Sequence, residues 1–434
     1  MKEKLPIMLF CIGLMGTPLT LYAQTVTSSN ITSVAADKKA KAVTITLNGT
    51  LSTTGNSDFR QLRDLCYSMK TLNLKGASCP NIPKNALHSR HNLRNLTLPN
   101  NLKTIGSQAF FACDSLEGVI NIPASATSIG ASCFAQCKKI KGIYFPSTSN
   151  INNIGSYAFE GCESITGEVR IPSKLMLIRD GVFAGCKNLE SVTLHNNLQS
   201  IGANAFAGCE NLSGDIAFGR MITRIGASAF AGCKSLNAVT MPRAIQQLGD
   251  AAFMDCSGLT GKISFPESLI DLGKGAFYGC SSIESFEIPA SVKQIKAATF
   301  AKCTGLKAIT LYAETPIEAD ATAFVGVDCS KVTLYVPEGS ESKYAEADVW
   351  KNFNIQTITT GIESASTNNG EATLSIENGV LKVSNISANT IIEVFNVKGQ
   401  QIKSLQASDV VSIALPGQGV YVVTINGKSY KVNY

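Results

Sequence analysis

Residues 201–218 read IGANAFAGCENLSGDIAF, and residues 225–242 repeat the same order of residue types as IGASAFAGCKSLNAVTMP. The motif Phe-x-x-Cys occurs nine times, with successive cysteines 23 to 25 residues apart. Self-similarity at this period is typical of a solenoid, in which each short unit buries its apolar side against its neighbours. The nine pairs are Phe110/Cys113, Phe134/Cys137, Phe159/Cys162, Phe183/Cys186, Phe206/Cys209, Phe230/Cys233, Phe253/Cys256, Phe277/Cys280 and Phe300/Cys303.

The spacing within one unit predicts its local structure. Alternation such as Val192-Thr193-Leu194 predicts a half-buried strand, and stacked units would align such strands in a parallel ladder at ~4.8 Å. Ala-Phe-x-x-Cys predicts a single short helical turn with Phe and Cys on one face. The Gly after Ile predicts a turn that a side chain would strain. We therefore expect a leucine-rich-repeat solenoid of roughly eleven turns, a parallel β ladder with short helical turns.

The ends of the array depart from the repeat, as capping requires. Residues 62–66 and 72–74 predict a first, degenerate turn, so we assign residues 24–60 to an N-terminal cap region and 61–358 to the solenoid with its C-terminal cap. A cluster of large apolar residues is predicted to close the other end of the core. The single tryptophan could instead stack on a ligand, although burial in the cap is favoured. The cluster comprises Tyr344, Trp350, Phe353 and Ile355.

The nine copies, with Ile-Gly before them and an apolar-Pro pair after them, resemble the BspA-type leucine-rich repeat family over about residues 60–355. The departures are local: Arg179 and Lys296 replace the turn glycine, and Gly219 stands where Pro is usual. Members of this family are commonly bacterial surface proteins, and some bind host matrix proteins or other cells. The resemblance implies a binding module and identifies no partner.

The first 23 residues resemble a secretory signal peptide. Lys2 and Lys4 precede an apolar run over residues 5–21, and Ala23 precedes Gln24, the expected new N-terminus. A retained membrane anchor is the alternative, but the run is short and Pro18 interrupts it. We expect an exported chain, on the outer cell surface or secreted, with no transmembrane span in its mature form.

The C-terminal part of the chain changes character. Residues 359–373 are polar and predict a linker, and residues 374–434 alternate apolar and polar residues between turn signals such as Asn426-Gly427. About seven short strands predict a small all-β sandwich.

This module resembles the C-terminal sorting domain of the type IX secretion system, which would make that machinery a partner. A generic β-sandwich stalk is the alternative. The resemblance rests on residues 394–396 with Gly399, on residues 413–415 and 419–423, and on the closing residues 428–432.

The cysteines favour packing over chemistry. Of 14 cysteines, nine lie in one register, where the ~4.8 Å ladder spacing exceeds the ~3.5–4.5 Å between Cβ atoms that a disulfide needs. We expect these nine thiols to be reduced and buried. We expect no metal site, because the chain has no Cys-x-x-Cys. The better candidates for a disulfide are out of register: Cys66, Cys79, Cys133 and Cys329.

Catalysis and nucleic-acid binding lack support in the sequence. There are only three histidines, no motif for a catalytic nucleophile or a phosphate loop, and the net charge of +6 is spread along the chain. We expect a protein that is not an enzyme, with no cofactor and no nucleic-acid partner.

The outward face of the strand ladder is the expected binding surface, because repeats build extended sheets. Its residues are mostly small and polar. Tyr144 and Arg170, with Glu168 beside Arg170, are the only neighbours on it of a type enriched at binding hot spots, and these three are the candidate ligand-binding residues. Glycan binding usually needs exposed aromatic side chains, and the ladder offers mainly Tyr144 and Tyr312. This small number favours a protein ligand weakly. We expect a binding or adhesion module for a protein on host or neighbouring cells. The alternative is a structural or glycan-capturing surface accessory without a protein partner.

Overall fold

The computed structural model describes residues 24–54, 57–358, 372–377, 380–396, 401–416, 420–425 and 428–433. Its contacts divide the chain into two units. The first comprises the described residues up to Leu334 together with Ala345–Asn354, and the second comprises Tyr335–Tyr344 together with the described residues from Ile355. The predicted signal peptide, residues 1–23, and most of the predicted linker lie outside the described residues. The boundary near residue 359 stays a prediction.

The first unit is a parallel β solenoid, as predicted, and the chain forms about fourteen turns. The count exceeds eleven because strands in residues 24–60 also pair in parallel with the array. Their residues alternate between more buried and more exposed positions, like those of the other strands. The motif count missed these turns because residues 24–60 contain no Phe-x-x-Cys. The principal strands, called here the long ladder, are Gln24–Ser28, Ala42–Leu47, Thr71–Asn73, Asn95–Thr97, Gly118–Asn121, Ile140–Tyr144, Glu168–Arg170, Ser191–Thr193, Gly214–Ala217, Leu236–Thr240, Gly261–Ser264, Ile283–Ile288 and Ala308–Leu311.

Along much of the long ladder the strands are grouped in pairs. Ile140–Tyr144 pairs with Gly118–Asn121, and Ser191–Thr193 pairs with Glu168–Arg170. On every second turn, the first strand of a new pair begins at a glycine with a left-handed φ or directly after one. The glycines are Gly118 (77°), Gly167 (69°), Gly214 (75°) and Gly261 (69°).

A second parallel ladder, called here the short ladder, was not predicted. Its strands have two residues each and end on a buried Ile or Leu in most turns. They are too short to carry a recognisable alternation, so they could not be predicted from the sequence. They are Asn81–Ile82, Thr104–Ile105, Ser128–Ile129, Asn153–Ile154, Leu177–Ile178, Ser200–Ile201, Arg224–Ile225, Gln247–Leu248, Asp271–Leu272, Gln294–Ile295 and Glu318–Ala319.

The Phe-x-x-Cys segments form a third column, called here the turn column. Phe and Cys share a face as predicted, but the backbone forms a β-turn instead of a turn of helix. The Cys113 N–H donates to the Phe110 carbonyl (3.2 Å), and the intervening Ala112 has φ 54°. A left-handed third residue is typical of a type II turn, and glycine occupies this position in several copies, such as Gly208. Other bonds of the segment join neighbouring turns: the Phe110 N–H donates to Cys133 O (2.9 Å).

The glycine after Ile is required for a reason other than the predicted one. In this column φ is not left-handed, so the backbone itself would accept a side chain. A Cβ on Gly130 would lie 2.3 Å from the Ser107 nitrogen of the preceding turn, and a Cβ on Gly226 would lie 2.6 Å from the Ala203 nitrogen. The glycine therefore allows two turns to approach each other closely.

The core of the solenoid is a stack of phenylalanine rings. The rings of Phe206 and Phe230 lie 5.2 Å apart and 10° from parallel, and similar stacking runs from Phe110 to Phe324. Trp350 closes the stack edge-on at 5.6 Å from Phe324, is 1 % exposed, and donates its indole N–H to Ile317 O (2.6 Å). Its predicted burial is confirmed.

The ladder cysteines are buried, as predicted, and they also form hydrogen bonds that the sequence analysis did not anticipate. Cys209 Sγ lies 3.2 Å from the Phe183 carbonyl, which also accepts the Cys186 N–H (3.1 Å). The same thiol-to-carbonyl bond recurs for each ladder cysteine, with sulfur–oxygen distances of 3.0–3.3 Å. Burial raises the pKa of the Cys209 thiol, and that of Cys303 to about 12. All the described cysteines carry free thiols, the four out-of-register candidates included.

Short helices precede and follow the repeats along the sequence. Near the N-terminus, buried Asp58 accepts the N–H groups of Ile31 (2.7 Å) and Ser52 (2.8 Å), which fixes the first loops to the second helix. The remaining elements of this region and of the C-terminal cap are helices Ala36–Lys41, Asp58–Leu65 and Glu341–Glu346, 3₁₀ helices Cys329–Lys331 and Trp350–Asn352, and strands Thr333–Val336 and Asn354–Thr357.

The C-terminal module is antiparallel and all-β, as predicted. It has five described strands, because two of them are long and run through several of the seven short ones that were expected. Apolar residues such as Leu381, Val394 and Val423 form its own core. The strands are Thr373–Glu377, Val380–Asn396, Gln401–Ala414, Val420–Ile425 and Lys428–Asn433.

The phenylalanine stack generates a stability prediction. Replacing Phe206 with Ala removes a fully buried ring with stacked neighbours on both sides and should cost ~3–5 kcal/mol of unfolding free energy. Thr240→Ala, on the exposed face, should change it by less than ~0.5 kcal/mol. Chemical denaturation measures both variants. A cost below ~1 kcal/mol for Phe206→Ala would show that the stack does not hold the array together.

The thiols generate a second prediction. In native protein the ladder cysteines should resist alkylation, since they are buried and burial keeps such thiols protonated. After denaturation without reductant, all thirteen described cysteines should react. Mass spectrometry of labelled peptides counts them. Ladder thiols that stay unreactive after denaturation would reveal disulfides and contradict the hydrogen-bonded arrangement.

Candidate functional site

Tyr144, Glu168 and Arg170 lie on neighbouring strands of the long ladder and face outward. The pleat places Ile143 and Val169 in the core, so the residues beside them point to solvent. Tyr144 ends the strand Ile140–Tyr144 and is 54 % exposed. Glu168 and Arg170 begin and end the next strand.

A chain of hydrogen bonds fixes Glu168 and Arg170. The Arg170 Nε donates to Glu168 Oε2 (2.8 Å), and the hydroxyl of Thr193 on the following strand donates to Glu168 Oε1. The bond from Thr193, followed by that from Arg170, lowers the pKa of the Glu168 carboxyl. Glu168 is therefore ionised at neutral pH and holds Arg170 in place.

Arg170 keeps most of its bonding capacity. Its side chain is 77 % exposed, and Nε is the one nitrogen for which the described residues offer a partner. The two terminal nitrogens remain available for a planar, bidentate contact with a carboxylate or phosphate.

The three candidates line one groove of about 440 Å³ at the carboxyl ends of these strands. Pro146, Pro172 and Ser173 also line it. The loop after Tyr144 is longer than in neighbouring turns. It is closed by the bond from the Ser149 N–H to Pro146 O (2.8 Å). The spacing of 25 residues between Cys137 and Cys162, the largest in the array, is the sequence signal of this insertion.

A second groove of about 380 Å³ continues on the other side of Tyr144. It shares Tyr144 and Pro146 with the first and extends past Asn121 and Thr97 to Lys75. Lys75 is exposed, and among the described residues it forms no ion pair. The sequence analysis missed Lys75 because it follows its strand in a loop, outside the outward column.

A second charged group on the same face resembles the first but lines neither of the two grooves. Glu287 accepts from Lys262 Nζ (3.0 Å) and from the Ser264 hydroxyl (2.6 Å), as Glu168 does from Arg170 and Thr193. Glu287 lies five turns beyond Glu168 along the ladder. This group supplies a matched control for the site.

The histidines form local contacts. The His88 ring stacks on Phe111 (5.1 Å), His91 Nδ1 lies 3.1 Å from Asp114, and His195 Nε2 lies 3.0 Å from Leu175 O. Within the described ranges, no group of His, Cys, Asp and Glu is arranged to hold a metal ion. No helix in the described part of the chain is long and apolar enough to cross a membrane.

Comparison with known proteins places these features in a family. The model of the BspA type Leucine rich repeat region matches residues 24–141, 118–237 and 223–342. None of the curated proteins matches the chain.

Solved leucine-rich repeat structures are similar to parts of it. A protein of T. pallidum is 30% identical over 33% of this chain and 69% of its own, with a TM-score of 0.32. A protein of Bacteroides ovatus is 21% identical over 73% and 84%, with a TM-score of 0.46. The pneumococcal vaccine antigen PcpA is 18% identical over 73% and 78%, with a TM-score of 0.43.

The bond from Thr193 to Glu168 generates a pH prediction. Thr193→Val should raise the Glu168 pKa towards the ordinary carboxyl value, because the strongest stabilising contact of the carboxylate is lost. A carboxyl whose pKa is lowered by folding stabilises the fold above its unfolded pKa, and that contribution fades as pH falls. The variant should therefore lose less stability on acidification. NMR titration of the Glu168 carboxyl carbon measures the pKa.

Thr240→Val, on the same face but without a carboxylate partner among the described residues, is the control. An unchanged Glu168 pKa in Thr193→Val would mean that the hydroxyl does not hold the carboxylate in solution.

Proposed function

Because the chain belongs to the BspA type leucine rich repeat family, we propose that it is an exported surface protein that binds a protein ligand on the long-ladder face. The observation that carries the proposal is the pair of grooves that meet at Tyr144 beside the Glu168–Arg170 ion pair. Solenoids of this kind are typically binding scaffolds, and the mostly small polar side chains elsewhere on the face make this group stand out.

Tyrosine and arginine are the residue types that carry much of the energy of protein interfaces. Tyr144 offers a large exposed surface on a strand, so little conformational entropy is lost when a ligand packs on it. Arg170 is held by Glu168 before any ligand arrives. Such preorganisation reduces the cost of binding.

Export and sorting form the second part of the proposal. The apolar segment in residues 1–23 would direct secretion, and residues 374–434 would be read by the type IX machinery, placing the solenoid on the outer surface. The ligand would then belong to a host or neighbouring cell, and the protein would act as an adhesin. A surface accessory that captures a glycan is the competing proposal, since the Tyr144 ring could also stack on a sugar.

Photo-crosslinking tests the binding site. Tyr144→p-benzoylphenylalanine, on the surface of the native host, should form adducts with a protein of the recognised cell. The same substitution at Tyr157, an exposed tyrosine two residues before Phe159 of the turn column, is the matched control. Once the partner is identified, alanine at Tyr144, Glu168 and Arg170 together should weaken binding by more than ~1–2 kcal/mol, whereas Lys262→Ala should leave it unchanged. Adducts from Tyr157 alone would move the site to another face.

Truncation tests the sorting proposal. Deleting residues 374–434 in the native host should leave a folded solenoid in the periplasm, because residues 24–358 would retain the complete core and the Trp350 cap. Fractionation and circular dichroism measure location and folding. A truncated protein that still reaches the surface would make the module a stalk, and an unfolded one would make it part of the cap.

A further inference from the structure

We propose that the long-ladder face binds an extended acidic peptide segment, which runs along both grooves with one carboxylate on Arg170 and an apolar side chain on Tyr144. This inference rests on the proposed function, because it specifies which kind of segment the protein partner presents.

The bonding state of Arg170 prepares it for an anionic group. A free surface arginine samples many rotamers, but Glu168, which also accepts from the Thr193 hydroxyl, holds this one through its Nε. The two terminal nitrogens then form a fixed fork that fits a carboxylate in a bidentate contact.

The grooves carry a small net positive charge. The charged residues that line them are Lys75, Arg170 and Glu168, and the ion pair of Glu168 with Arg170 is neutral, so the net charge of the surface comes from Lys75. At the other end, Glu168 already accepts hydrogen bonds from Arg170 and Thr193, whereas the terminal nitrogens of Arg170 remain free to donate. An acidic segment complements this distribution, and a basic one would be repelled.

The length of the two grooves sets the spacing of the acidic residues in the ligand. The grooves cross about six turns, from Lys75 to Thr193, which corresponds to ~24 Å at ~4.8 Å per turn. Lys75 and Arg170 belong to turns about four steps apart, or ~19 Å. At ~3.3 Å per residue, two carboxylates of an extended peptide would be separated by about six positions.

Tyr144 lies between Lys75 and Arg170 along the surface. The ring forms part of both grooves, beside Pro146. Gly142 lies on the same strand and has no side chain. A Cβ built on it would contact Val119 alone, at 3.5 Å. A proline or an apolar side chain of the ligand has room to pack against the tyrosine and the valine.

Selection from a random nine-residue peptide library against the chain from residue 24 onward tests the inference. Enriched peptides should carry two acidic residues about six positions apart, with an apolar residue or proline between them. For a fluorescein-labelled enriched peptide, Arg170→Ala should weaken binding by at least about tenfold. Arg170→Lys should restore it only partly, because an ammonium cannot form the bidentate contact. Lys262→Ala should have no effect.

Enriched peptides without acidic residues, or equal affinity for the Arg170→Ala variant, would overturn the inference. If no peptide is enriched but Tyr144 crosslinks a protein partner, the inference fails while the proposed function stands. If Tyr144 crosslinks no protein and a glycan array shows binding that Tyr144→Ala abolishes, both fail.

Discussion

One carbonyl oxygen per turn links the solenoid together. The carbonyl of the phenylalanine in Phe-x-x-Cys accepts the cysteine N–H of its own turn and the cysteine thiol of the next, as at Phe183. The phenylalanine rings stack over the same step, and the glycine column lets the backbones approach. These contacts require residues of fixed size at fixed spacing. Variation is therefore confined to side chains that point outward.

This constraint separates what the sequence could predict from what it could not. The register of Phe and Cys, their burial, the outward column and the Trp350 cap follow from periodicity and size, because each unit must bury its apolar side. The short ladder, the thiol bonds and the reason for the glycine column depend on contacts between residues more than 20 positions apart. The glycines Gly118, Gly167, Gly214 and Gly261 recur on every second turn in the sequence, but their effect on strand pairing could not be predicted.

For the site, too, the residues could be predicted from the sequence but the groove that they line could not. The outward column identifies Tyr144, Glu168 and Arg170 as unusual, and the structure places all three along one groove. The groove itself depends on the longer loop after Tyr144 and on prolines of two turns, which no spacing rule describes. The state of Arg170 depends on Thr193, a residue that looks ordinary in the sequence. A rigid array thus presents a preorganised group beside two grooves, on a face whose side chains are mostly small and polar.

Amide hydrogen exchange at single-residue resolution tests most directly whether contacts between turns hold the array. The N–H groups of Phe134, Phe159 and Phe206 donate to carbonyls of the following turn. They should exchange slowly and at a common rate, because opening one requires separating two turns. Amides of exposed loops, such as those of Ser173 and Asn197, should exchange much faster. Phenylalanine amides that exchange as fast as those loop amides would contradict the account.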